Sequence, residues 1–122
     1  MPQQSQPVSV TFKNPATGAD VTVGFDARPY PDGARLMRKV TALHWHYIQT
    51  GWGENEVRLL LGGPTQIKFT RGPDGQAVSV WKYGRGLWGF GTVTFRDGTV
   101  VGYKAPSPSR FVWVYHGPVE GG

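Results

Sequence analysis

The sequence predicts an α+β fold, in which two helices pack on one face of an antiparallel β-sheet, with an added N-terminal β-hairpin and a C-terminal strand. Three observations predict it. Residues 51–64 carry a helix start and a helix stop. Residues 66–104 hold strand-like runs joined by turn signals, as a meander requires. Residues 32–50 repeat apolar side chains at helical spacing, which supplies the other helix.

The run 51–64 is the most sharply marked. Glu54 and Glu56 place negative charge in the first turn, where unpaired N–H groups and the helix dipole favour it. Gly53 serves as N-cap, with Glu56 at the capping-box position three residues on. Val57, Leu60 and Leu61 form one apolar face, and Gly62 followed by Pro64 ends the helix.

Going back to the start, 8–12 and 21–25 alternate apolar and polar residues around an Asn14-Pro15-Ala16-Thr17-Gly18 turn, so they read as a hairpin. Asp32 caps the other helix, which runs to about Thr50. Leu36, Val40, Leu43 and Tyr47 form its stripe, widened by Met37, His44 and Ile48, while Arg35, Arg38 and Lys39 lie off it. The meander follows as 66–71, 77–83, 88–96 and 99–104, with Asp97-Gly98 a strong hairpin turn. Residues 111–115 are apolar on both faces and read as a covered strand or one added to a sheet edge. One domain spans 1–122, with frayed tails at 1–7 and 117–122.

Composition bounds the function. Thirteen Lys/Arg against 8 Asp/Glu give a charge of +5, which suits an acidic partner, although the cations are spread along the chain. Cysteine is absent, so disulfides, thiolate metal sites and cysteine nucleophiles are excluded. No apolar run approaches the ~20 residues of a membrane-spanning helix. The start is polar and is no secretory leader. Location therefore reads as periplasmic or envelope for the mature region of an exported protein, and cytoplasmic otherwise.

Gly51-Trp52-Gly53-Glu54-Asn55-Glu56-Val57 with Leu60-Leu61-Gly62 and Pro64, then Trp81-Lys82-Tyr83 and 93–100, resembles the signature of the SmpA/OmlA family. These are BamE-like small lipoproteins of outer-membrane assembly. β-Lactamase-inhibitor proteins are similar in carrying a helix-helix-sheet unit. The likeness spans about residues 34–104. Gly53 stands where the family has Thr or Ser, and the lipidated cysteine is missing. The resemblance implies a non-enzymatic protein-protein interaction module of cell-envelope assembly or inhibitor type.

Candidate chemistry is sparse. His44 and His46 lie about 200° apart on a helix and do not form a helical metal pair. The run 84–89 matches G-x-G-x-x-G but opens a β-run, not the helix a dinucleotide needs, so no cofactor is expected. Residues 88–95 resemble an RNA-recognition strand, with Trp88 at the basic position and Thr92 at a stacking one. Asp32, Glu54, Asp74 and Asp97 serve caps and turns, which leaves no catalytic constellation and points away from an enzyme. The aromatics around the glycine-rich loop remain. Trp81, Tyr83, Arg85, Trp88, Phe90 and Arg71 form the expected protein-binding site, with a protein partner of acidic surface. The alternative reading is a basic aromatic nucleic-acid-binding domain.

Overall fold

The described residues form eight strands and two short helices, the strands arranged as two separate four-stranded antiparallel sheets. The computed structural model describes residues 6–30, 33–84 and 91–118. Sheet A has the order β1-β2-β3-β8, from β1 (Gln6–Lys13), β2 (Asp20–Pro29), β3 (Arg35–Thr41) and β8 (Phe111–Pro118). Sheet B is the meander β4 (Gln66–Arg71), β5 (Ala77–Tyr83), β6 (Gly91–Arg96) and β7 (Thr99–Lys104). Between β3 and β4 lie α1 (Ala42–Trp45) and α2 (Glu54–Leu61).

This arrangement overturns the α+β expectation of two helices on one sheet. The long helix expected over 32–50 is instead strand β3 followed by the four-residue α1. Leu36, Arg38 and Val40 alternate inward with Met37 and Lys39 between them, which is the period of a strand. The inward row includes a cation, 6% exposed, and that hides the alternation from an apolar count. Leu43 and Tyr47, which completed the helical stripe, are 76% and 45% exposed. The helix-helix-sheet unit implied by the SmpA/OmlA and β-lactamase-inhibitor likeness is accordingly not the architecture of this chain.

Both sheets and both helices feed one core. Val23, Phe25 and Val40 come from sheet A, Trp81, Val93 and Phe95 from sheet B, and Trp45, Trp52, Val57 and Leu60 from the helical segment. Trp52 meets Phe12 edge-on at 5.0 Å, and Trp45 meets Tyr83 at 5.3 Å, so each indole joins the helical segment to a different sheet. Trp45 also sets the identity of Gly91. A Cβ there would lie 2.8 Å from the indole and from the Lys104 carbonyl.

The helix α2 is held at both ends. At its start the Gly53 N–H donates to Glu56 Oε1 at 2.8 Å, the backbone half of a capping box. The preceding residues pair with the edge of sheet B. Gly51 N–H donates to the Val100 carbonyl at 3.1 Å, and Val100 N–H to the Trp52 carbonyl at 2.7 Å. At its end Gly62 takes φ +83°, and its carbonyl accepts the Tyr83 hydroxyl at 2.9 Å. Burial pushes that phenol well above its usual range, so it remains a donor at any ordinary pH. From sheet A, Arg38 Nη2 donates to the Leu59 carbonyl at 2.6 Å and lies 3.5 Å from that of Leu60. A cation thus closes the negative end of the helix dipole.

Two stability outcomes follow from these contacts. Leu60, fully buried, should lose ~2–5 kcal/mol on substitution by Ala, as cavity formation in a core costs. Arg38→Met keeps the aliphatic stem but orphans the α2 carbonyls, a loss of about 1–3 kcal/mol. Urea melts check both, and an Arg38→Met midpoint equal to wild type would mean that the strand-to-helix bond stabilises nothing.

Candidate functional site

The alternation of β8 sends two residue sets to opposite sides. Val112 and Val114 pack on the core. Phe111, Trp113 and Tyr115 therefore face outward, with Phe111 46% and Tyr115 56% exposed. Their cross-strand partners on β3 are Thr41, Lys39 and Met37. Arg28 pairs with Met37 from the other side, placing β2, β3 and β8 side chains on one outer face.

Cations and rings interleave across this face. The Arg28 guanidinium lies 4.2 Å over Trp113, and the Lys39 ammonium 4.3 Å over Phe111. Phe111 and Trp113 meet at right angles with 6.3 Å between centroids. At the near corner Arg35 sits 4.4 Å over Tyr30. Each such pair holds a charge beside a polarisable ring and fixes both side chains. The result is a pre-ordered ladder of aromatic and cationic groups on an open sheet face, with β8 at the sheet's edge. The outward row of β2 adds two acidic residues, Asp26 and, farther along the strand, Asp20, which pairs with Lys13 at 3.2 Å.

Where β2 and β3 stop pairing, beyond Ala27 and Arg38, a cleft of about 410 Å³ opens beside the ladder, lined by Phe25, Asp26, Lys39, Thr41 and His44. His44 bridges the splayed strands. Thr41 N–H donates to its Nδ1 at 2.9 Å, so the neutral ring carries its proton on Nε2, 2.9 Å from the Gly24 carbonyl. The ring also stacks on Phe25 at 4.2 Å. Burial pushes this imidazole below its usual value near 6.5, and Arg38 adds to the shift, while the Gly24 carbonyl and Asp26 oppose it.

Of the residues expected to bind a partner, the described ones, Trp81, Tyr83 and Arg71, are not gathered on one surface. Trp81 is 1% exposed, tilted against Phe95 at 4.7 Å, and Tyr83 is 5% exposed with its hydroxyl bound to Gly62. Both are core side chains of sheet B, unavailable to another molecule. Arg71 is exposed on the edge strand β4, where Nη1 donates to the Gly75 carbonyl at 2.9 Å. It lines an open cleft of about 390 Å³ with Phe69, which is 80% exposed. Arg85, Trp88 and Phe90 lie outside the described residues. His46 meets the Tyr103 hydroxyl at 3.1 Å, and among the described residues no group of three His, Asp or Glu side chains gathers as a metal ion would require.

The outer face of sheet B carries a second charged surface. Each strand gives it one cation: Lys68, Lys82, Arg96 and Lys104, among Thr70, Val78, Val80, Thr92 and Thr94. Lys82 is held below its usual value chiefly by the charge of Lys68 beside it, an arrangement that attracts anions.

Sequence reasoning missed the ladder because Phe-x-Trp-x-Tyr looks like a covered strand when its neighbours are unknown. The available signal was the alternation itself, with small Val on one side and large rings on the other. No family model matches the chain, and no curated protein or solved structure matches it significantly.

The His44 geometry gives a pH dependence. Its folded value is depressed, so its contribution to stability is complete above about pH 6.5 and is lost as pH falls through the lower folded value. Urea stability should decline as pH falls below about 6.5. His44→Gln should remove that part of the slope, and a slope unchanged by the substitution would exclude His44 as its source.

Proposed function

We propose that the protein is a non-enzymatic binding module that takes an acidic protein partner on the outer face of sheet A. One observation carries the reading: Phe111, Trp113 and Tyr115 stand in a row on an open edge strand, interleaved with Arg28 and Lys39. Trp, Tyr and Arg dominate the energetic centres of protein interfaces, and rings fixed beforehand lose little freedom on binding. The outer edge of β8, unpaired among the described strands, also offers backbone groups to an extended segment, whose carboxylates would meet the cations.

The cation placement favours protein over nucleic acid here. Arg28 and Lys39 already cover one face of Trp113 and of Phe111, so a base stacking on that side would have to displace them. A carboxylate can instead join the pair without removing the cation from the ring.

A second reading, a polyanion-binding surface, is favoured by the outer face of sheet B, where Lys68, Lys82, Arg96 and Lys104 stand without an acidic neighbour on the strands. That face has no aromatic side chain on its described strands, so attraction there would be to phosphate charge and not to bases.

Two measurements separate these readings. On an array of extended acidic and neutral peptides, wild type should select acidic ones. Trp113→Ala should weaken that binding by about 2 kcal/mol or more, the scale of an interface hot spot, with the far-UV spectrum unchanged. Acidic peptides bound equally by Trp113→Ala would overturn the sheet A site. In the second, anisotropy with mixed-sequence oligonucleotides at ~0.15 M salt should give only weak attraction of ~10⁻⁴–10⁻⁶ M. Sub-micromolar binding abolished by Lys68→Gln and Lys82→Gln would establish the second reading instead.

A further inference from the structure

The C-terminal end of α2 and the inner side of β8 enclose a cleft of about 490 Å³. Arg38, Arg58, Leu59, Gly62, Val114 and His116 line it, with Tyr115 at the margin it shares with the aromatic face. The chain is built to place these groups together. Strands β3 and β8 slip register between Leu36 and Met37, so His116 is an extra residue opposite that step and lies beside Arg38. At Gly62 a Cβ would approach Val114 to 3.2 Å, and the missing side chain lets the helix end sit close to the strand.

Among the described residues, the cations of the cleft face no acidic side chain. Arg38 is 6% exposed, yet among the described residues it pairs with no carboxylate. One nitrogen, Nη2, is taken by the helix carbonyls. Nη1 has only a long 3.4 Å contact to His116 Nδ1, and Nε has no hydrogen-bond partner. A guanidinium so far removed from water, met by carbonyl dipoles and the face of the Phe25 ring at 5.0 Å but by no described carboxylate, is costly. Arg58 adds a second cation. It stacks 4.8 Å over Trp81, its Nη1 lies 3.4 Å from where a Gly63 Cβ would stand, and it too pairs with no described carboxylate. Among the described residues the walls contain no acidic side chain.

We propose that this cleft binds a small doubly charged oxyanion of the phosphate-monoester class, held between Arg38, Arg58 and His116. Two guanidiniums match a dianion in charge, and their N–H groups suit tetrahedral phosphate oxygens. The volume leaves room for an organic group beside the phosphate. Apart from Tyr115 at the shared margin, the site is distinct from the outward rings of β8, and it stands whether or not that face binds a protein.

The test uses the intact protein in phosphate-free buffer, titrated with inorganic phosphate at constant ionic strength. Wild type should give a saturable rise in Tm, as any ligand of the folded state does, with the His116 ring resonances moving along the same curve. Arg58→Gln, at an exposed helix position, should weaken binding at least about tenfold, the scale of a lost charge-assisted hydrogen bond. Lys13→Gln, on β1 at the edge of sheet A opposite β8, should leave it unchanged. Phenyl phosphate binding more tightly than inorganic phosphate would support an esterified ligand. Absence of saturation, or an equal loss in Arg58→Gln and Lys13→Gln, would overturn the site. Succinate binding as well as phosphate would overturn the phosphate assignment.

Discussion

A single buried cation couples the two halves of this protein. Arg38 lies in the inward row of β3, where the sheet A core would ordinarily place an apolar side chain, and its guanidinium reaches the terminal carbonyls of α2. Those carbonyls have no intrahelical partner and are otherwise a cost to the fold. The same helix end accepts the Tyr83 hydroxyl from sheet B. The last turn of an eight-residue helix is therefore the point at which both sheets are hydrogen-bonded to one element. A helix that short is not stable alone, so its tertiary partners determine that it forms. The core around it, from Phe12 and Trp52 to Trp81 and Phe95, is the apolar counterpart of the same junction.

That arrangement explains which parts of the fold were legible in the sequence. Helix α2 was legible because its signals are local: Glu56 closing on the Gly53 N–H, and Gly62 at positive φ. The strands of the first hairpin and the meander were legible through alternation and turn residues. The fold class was not, because the apolar spacing over β3 also fits a helix. Leu36, Val40, Leu43 and Tyr47 fit a helical spacing, and only knowledge that Arg38 is buried reveals the alternation. A charged residue counts as outward until its partners are known, and those partners lie 21 and 22 residues away.

The candidate surfaces were legible in composition but not in position. An excess of aromatic and basic residues was evident, yet the expected cluster at Trp81 and Tyr83 is consumed by the core. The rings that face outward belong to β8, and the cations over them come from β2 and β3. Sequence distance conceals such pairs because a sheet brings together residues that no local window contains. Sheet pairing also makes Lys68, Lys82, Arg96 and Lys104 one surface, although along the chain they read as scattered charge.

The strand order has a consequence for when the molecule becomes competent. Sheet B is a sequential meander, so its pairings join chain neighbours and can form early. Sheet A is interrupted: the whole of sheet B lies between β3 and its partner β8. During synthesis, a chain that has reached Lys104 has every strand of sheet B but leaves β3 with an open edge. The aromatic ladder and the oxyanion cleft both wait for β8. Recognition is thereby tied to the last strand, and a nascent or truncated chain would hold a nearly complete scaffold with neither surface assembled.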